Sequence, residues 1–334
     1  MPPSAPQPPS PALIQQTLSG CQRAFALKTA IELDLFSAIG DGAATAAELA
    51  QKLSIAERGA RILCDFLVVA NLLTKSGNRY ALTPDTATYL DRRSPAYVGS
   101  VAEFLLGPEQ QRRMANLTAS VRAGGNQEPQ PIADFPGWVT FARAMAAYMA
   151  RPAELLAERF GPVQGRILDI AAGHGLFGLA FARRSPSAEV FALDAAPVLE
   201  VAKENAARAG LAARYHPMPG DAMQIALGEN YELILLANFL HHFDAAANIA
   251  LLRRIRAALA PGGRVVTLEF VPNPDRVSPP PAAAFSLTML ANTPAGDAYT
   301  FAEFQAMFSS AGFAAIEEHS LGENMETALL ARAG

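Results

Sequence analysis

The stretch Arg166-Ile-Leu-Asp-Ile-Ala-Ala-Gly-His-Gly-Leu-Phe-Gly178 reads as a buried strand, a glycine turn and the opening of a helix. Gly173, Gly175 and Gly178 hold the G-x-G-x-x-G spacing, in which missing side chains let backbone approach a nucleotide-like ligand. That pattern alone is weak. Asp194, the acidic residue expected at the end of the following strand, adds an acceptor suited to ribose hydroxyls.

Downstream of this stretch, strands near 166–171, 189–193, 213–216, 231–238 and 264–270 alternate with helical segments, the pattern of a parallel, doubly wound α/β sheet. Two further strands, from Gly312-Phe313 through His319 and from Glu326 to Arg332, predict a terminal antiparallel hairpin. Upstream, Ile14, Leu18, Cys21 and Phe25 repeat at helical spacing, and Leu33, Leu35 and Phe36 leave the end of that segment apolar on more than one side. Thr45-x-x-Glu48 and Ser54-x-x-Glu57 read as capping boxes, each opening a short helix. Residues 72–75 and 79–82 then flank the turn Ser76-Gly77-Asn78, and Thr83-Pro84 starts another helix. Helix, helix and hairpin predict a winged helix. Residues 95–155 read as helical and connective, broken by Gly124-Gly125-Asn126 and by Pro129, Pro131 and Pro136. The expected organisation is a disordered leader over 1–11, a helical, winged-helix domain over 12–95, connecting helices over 96–155 and a ligand-binding domain over 156–334.

Composition bounds the function. With 334 residues, 51% hydrophobic and 17% charged, the chain has enough apolar content for two cored domains. A net charge of -4 gives no footprint for nucleic acid, whose phosphates need clustered Lys and Arg. In the winged helix, Lys52, Arg58, Arg61, Lys75 and Arg79 are balanced by Asp41, Glu48, Glu57, Asp65 and Asp85, which favours dimerisation over DNA reading. Cys21 and Cys64 form no disulfide or metal-ligand spacing, so a reducing, cytoplasmic setting is expected. The Pro-rich N-terminus lacks the charge and apolar core of a signal peptide, and no apolar run is long enough to span a bilayer, so no membrane association is expected.

In an open α/β sheet ligands bind beyond the carboxyl ends of the strands, where the polar residues of this chain gather. Asp169, just before the turn, repels a diphosphate and attracts a ligand carrying ammonium and sulfonium charges, such as S-adenosylmethionine (SAM). Asp194 serves the ribose, or else caps the following helix. Asp221 is placed to accept from the adenine amino group with Met223 on the ring, or is an ordinary turn residue after Gly220. The fourth strand ends in Asn238-Phe-Leu-His-His-Phe-Asp244, with Asn238 on the cofactor side and His242 toward the acceptor. His241 is the expected general base, since a neutral imidazole can take a hydroxyl proton as the oxygen attacks. The alternative is a histidine that bonds a helix end. His174, inside the glycine loop, reads as a loop or cofactor-contact residue, and no metal site is expected. Rival readings are a nicotinamide-dependent oxidoreductase and a ligand-binding regulator that reads DNA.

At these residues the chain resembles the SAM-dependent small-molecule O-methyltransferases of the caffeic acid and acetylserotonin type. The resemblance covers nearly everything after the leader. It implies a class I, Rossmann-like methyltransferase domain with a mostly parallel seven-stranded sheet and terminal hairpin, preceded by a winged-helix domain that forms a homodimer. It implies SAM as cofactor, S-adenosylhomocysteine as product, and a small-molecule acceptor methylated on a hydroxyl of an apolar, aromatic framework. Asp169, Gly173, Gly175, Asp194 and Asp221 match SAM contacts, His241 matches the base, and Glu269 matches one of two glutamates that steady it. At the second glutamate's place this chain has Ala298, with Asp297 beside it as substitute, which leaves carbon or nitrogen methylation open. Ala171 replaces a glycine common in the first loop. Phe141 and Met145 match an aromatic and a methionine near the reactive methyl, and the segment 279–294, with Phe285, Met289 and Asn292, is the expected pocket wall.

Overall fold

A computed structural model describes residues 9–40, 42–128, 135, 137–322 and 326–333. Most of the expected leader, Asp41, and the breakers Pro129, Pro131 and Pro136 lie outside the described residues. The chain divides into two compact units, Met1–Gly107 and Pro108–Gly334.

The first unit runs α1 (Ala12–Glu32), α2 (Leu35–Ile39), β1 (Ala44–Thr45), α3 (Ala46–Leu53), α4 (Glu57–Val69), β2 (Leu73–Ser76), β3 (Arg79–Leu82), α5 (Pro84–Tyr89) and α6 (Val101–Leu105). Its strands pair antiparallel in the order β1-β3-β2. The capping box at Thr45 is present in both directions, Glu48 N–H to Thr45 Oγ1 and Thr45 N–H to Glu48 Oε2. Thr83 likewise caps α5, which has Pro84 at its first position. Ser54 differs from expectation. It ends α3 in the left-handed region at φ 56°, and α4 starts from Ala56 without a side-chain cap, so the second motif stops one helix rather than opening the next. Leu35, Phe36, Ile39, Leu49, Leu67 and Tyr80 form the centre of this unit's core. The basic residues of the wing are occupied: Lys75 and Arg61 pair with Asp65, and Arg79 pairs with Glu48.

The second unit opens with α7 (Pro108–Ala115), α8 (Leu117–Ala123) and the long α9 (Trp138–Phe160). It continues β4 (Arg166–Ile170), α10 (Leu176–Arg184), β5 (Glu189–Asp194), α11 (Ala196–Arg208), β6 (Tyr215–Pro219), β7 (Tyr231–Ala237), α12 (Ala245–Ala258), β8 (Leu259–Glu269), α13 (Pro280–Asn292), α14 (Phe301–Ser310), β9 (Phe313–Ser320) and β10 (Thr327–Ala333). The seven strands lie in the order β6-β5-β4-β7-β8-β10-β9. The first five are parallel, and β10 runs antiparallel to both β8 and β9. The run Leu233-Ile-Leu-Leu236 in β7 is continuous rather than alternating because both faces are covered: Leu233 and Leu235 join the core beside α9 and α10, Ile234 and Leu236 the core beside α12 and α14.

Two strand starts depart from the sequence pattern. The third begins at Tyr215 because residues 212–214 form a 3-10 turn whose Arg214 guanidinium donates to the carbonyls of Ala182, Ser185 and Ala188. The fifth begins at Leu259, paired with Tyr231, before a shift in register brings Arg264 opposite Leu233. Among the described residues no helix is long and apolar enough to cross a membrane.

Candidate functional site

A cavity of about 470 Å³ opens at the carboxyl ends of β4 to β7. One of its walls is the turn after β4. Ala171, Gly173 and Gly175 all carry positive φ (54°, 57° and 75°), which folds the turn back and presents bare backbone. A Cβ on Gly175 would stand 2.6 Å from Tyr215 Oη, so this position needs glycine for space as well as conformation. At the end of β5, Asp194 accepts from Gly173 N–H at 2.8 Å through Oδ2 and from Ala195 N–H at 2.7 Å through Oδ1. Burial raises its carboxyl, and these two N–H groups oppose the rise. Its carboxylate lines the cavity, as do Gly173, Asp221, Met223 and Asn238. Asp221 Oδ1 accepts from Met223 N–H and Oδ2 from Gln224 Nε2, both at 2.8 Å, which holds the turn after β6.

Asp169 occupies a different place from the one its sequence position suggests. Its side chain is turned under the loop, 1% exposed, with Oδ2 accepting from Gly178 N–H at 3.0 Å, and it does not line the cavity. Burial pushes its carboxyl up to about 7, Gly178 N–H opposing and the charge of Asp194 adding. Asp169 therefore anchors the start of α10, and the negative charge in the walls comes from Asp194, Asp221 and Asp244. Gly175 is also outside the walls, where it shapes the turn. His174 lines the cavity with Nδ1 accepting from Leu176 N–H at 3.2 Å; burial pushes it down to about 4, so it stays a neutral ring with its proton on Nε2.

Beyond β7 the chain turns through a 3-10 segment, Leu240–His242. His241 Nδ1–H donates to Glu269 Oε2 at 2.6 Å, and Glu269 Oε1 accepts the N–H groups of Phe239 at 3.1 Å and Leu240 at 2.8 Å. Glu269, fully buried at the end of β8, thereby fixes both the imidazole and the backbone that carries it. Phe285 from α13 stands edge-on to His241 at 4.8 Å and stacks on Phe270 at 4.0 Å. On the other side lies His242, whose ring centroid is 4.4 Å from that of His241. His242 faces the cavity and meets Trp138 edge-on at 5.5 Å, whereas His241 sits one ring behind the wall. Burial, and then the neighbouring His241, holds His242 well below the ordinary histidine range.

Of the expected pocket residues, Phe141, Met145 and His242 line the cavity. Phe285, Met289 and Asn292 do not: Met289 is buried, and Asn292 Nδ2 donates back to Thr288 O. Asp297 does not join the His241–Glu269 pair. Its carboxylate is 37% exposed and accepts from Arg276 Nη1 at 3.1 Å, while Ala298 is buried. Trp138 and Met149 were not anticipated as wall residues, although Trp138, Phe141, Met145 and Met149 stand three or four residues apart on one face of α9. Asn238, at φ 55°, extends Nδ2 to Glu326 Oε1 at 3.3 Å, a contact across 88 residues that no local pattern announces.

Residues 15–92 match the O-methyltransferase dimerisation domain and residues 150–314 the O-methyltransferase domain. A 3-hydroxy-5-methyl-1-naphthoate 3-O-methyltransferase from Streptomyces sahachiroi is 29% identical over 315 residues, spanning 90% of this chain and 89% of that protein. A crystal structure from Nostoc punctiforme PCC 73102, provisionally assigned as an O-methyltransferase, is 49% identical with a TM-score of 0.95 over 98% of this chain and all of the other. Human N-acetylserotonin methyltransferase in complex with SAM shares the fold, with a TM-score of 0.86 at 24% identity over the whole of both chains.

Proposed function

The chain belongs to the O-methyltransferase family, and from that premise we propose how it moves the methyl group of SAM to a hydroxyl of an apolar, aromatic small molecule: His241 takes the hydroxyl proton, held for that task by Glu269. Family membership removes the nicotinamide oxidoreductase reading.

The observation that carries the assignment is the 2.6 Å contact between His241 Nδ1 and Glu269 Oε2. A carboxylate accepts the Nδ1 proton, so the Nε2 lone pair is left as the acceptor for a hydroxyl proton, and the imidazolium formed on transfer is stabilised by the same carboxylate. SAM suits the residues present: the bare turn at Gly173 approaches a nucleoside closely, and Asp194 keeps lone pairs for ribose hydroxyls. When bound, SAM supplies an electrophilic methyl on a sulfonium. The chain's own part is alignment, with Trp138, Phe141, Met145 and Met149 packing a flat apolar acceptor, because an in-line displacement gains most of its rate from orientation.

His242 is the second candidate for the base, since it reaches the cavity directly. Among the described residues no carboxylate holds its ring, and its depressed basicity makes it the poorer proton acceptor, which favours His241. With a panel of hydroxyarenes and labelled SAM, His241→Ala is expected to lower turnover at least about 100-fold while calorimetric affinity for S-adenosylhomocysteine stays as in the unmodified enzyme. Unchanged turnover in His241→Ala, with loss in His242→Ala, transfers the role to His242.

The dimerisation-domain match supports a homodimer formed through the N-terminal unit. Two free cysteines, Cys21 and Cys64, support a reducing, cytoplasmic setting.

A further inference from the structure

The charged side chains in the cavity walls are Asp194, Asp221 and Asp244, and among the described residues no Lys or Arg lines the cavity. The residues outside the description, 1–8, 41, 129–134, 136, 323–325 and 334, include no Lys or Arg either. The two wall histidines add no positive charge, because burial keeps both His174 and His242 neutral. On the acceptor side, Trp138, Phe141, Met145, Met149 and Phe243 present rings and thioethers. An anionic group brought there loses its hydration, gains no guanidinium or ammonium partner from the walls, and stands in the field of the wall aspartates. A neutral ring system pays no such desolvation cost and packs against the same side chains favourably.

Resting on the methyl-transfer reading above, we infer that this enzyme selects its acceptor by charge: it takes neutral hydroxyarenes and rejects those whose ring carries a carboxylate or another anion. Three probes isolate the effect: a naphthol, the hydroxynaphthoate with the same hydroxyl position and a carboxylate across the ring, and that acid's carboxamide. Each is titrated calorimetrically into full-length enzyme loaded with S-adenosylhomocysteine, and each is offered with labelled SAM.

Near neutral pH the naphthol and carboxamide bind, and the acid binds at least about 30-fold more weakly than the carboxamide, which has similar size and remains neutral. Lowering the pH toward about 5 tightens the acid at least several-fold and leaves the carboxamide where it was, because only the protonated carboxyl fits the walls. An acid that binds within about threefold of the carboxamide overturns charge selection, as does failure of all three to bind. The two readings fail separately. Binding in the expected order without label on any hydroxyl counts against the methyl-transfer reading, whereas equal labelling and equal binding of acid and carboxamide count against charge selection alone.

Discussion

Asp169 shows how burial turns a charged residue into a structural one. Its carboxyl is pushed up to about 7 by desolvation, with one N–H bond in opposition and Asp194 as a like-charged neighbour. In the unfolded chain the same carboxyl titrates near its ordinary value of about 4. A folded value above the unfolded one means that the protonated carboxyl is the form the fold favours. Its contribution to stability is complete below about pH 4 and is lost as pH rises through about 7, with an upper bound of about 4 kcal/mol. Asp169→Asn keeps an acceptor for Gly178 N–H and cannot ionise. Denaturant melts of the SAM-free protein at about pH 5 and pH 8 are therefore expected to show unmodified enzyme losing more stability on the alkaline side than the variant. Parallel curves for the two proteins rule out a strained carboxyl at this position. The sequence reading puts Asp169 at the end of a strand just before the turn, where β4 has it, and what the sequence conceals is the direction of the side chain. In β4 alternate residues face opposite sides of the sheet, so a one-position reading tells which face Asp169 takes only when the neighbouring helix is known. Ala171 is the converse case: the missing glycine was visible, and the backbone still takes φ 54° there, at a cost of about 1 kcal/mol for a residue with a Cβ.

The element that positions His241 is the 3-10 turn after β7, and it is wedged from outside. Gly296, in the segment between α13 and α14, lies so close that a Cβ there would stand 2.2 Å from His241 O and 2.9 Å from the carbonyl carbon of His242. Both contacts are to backbone, so Gly296→Ala cannot be absorbed by a rotamer change and must displace the turn. The His241–Glu269 alignment suffers while the glycine loop, on other strands, is untouched. Turnover is expected to fall at least about tenfold with affinity for S-adenosylhomocysteine unchanged, since a small misplacement of a reacting group is costly. Loss of cofactor binding in step with turnover shows instead that the substitution disturbs the whole sheet end. At this scale the sequence was most legible where periodicity and caps agreed, as in the strands Arg166–Ile170 and Tyr231–Ala237 and the capped helices after Thr45 and Thr83. It misled where one motif fits two places. Ser54-x-x-Glu57 has the letters of a cap, yet Ser54 can also take the left-handed turn that ends α3, and only packing of the two helices decides between them. Asp297 failed for a related reason: sequence neighbourhood put it beside Ala298, but its carboxylate found Arg276 on the surface.

At the scale of the whole molecule, α1 carries an unbalanced surface. Its final turn is core, with Ala30 and Ile31 buried, whereas its first half exposes Leu13 at 72%, Ile14 at 65% and Leu18 at 73%, with Phe25 at 43%. A single exposed apolar side chain is ordinary, but a run of them along one helix is what an interface looks like before its partner arrives. Covering a leucine or isoleucine of this kind stabilises an assembly by about 1.5 to 3 kcal/mol each, so two of them decide between monomer and dimer at micromolar concentration. Placing a carboxylate at both Ile14 and Leu18 costs the monomer little, because both positions face solvent there, and it leaves two charges without water or partner in a dimer. Analytical ultracentrifugation is expected to find the unmodified enzyme at twice the chain mass and the Ile14→Glu, Leu18→Glu double variant at the chain mass, with far-UV circular dichroism unchanged. A double variant that remains dimeric places the homodimer contact away from the first half of α1, on another apolar face such as that of Val69 and Ile62, which are 72% and 43% exposed on α4.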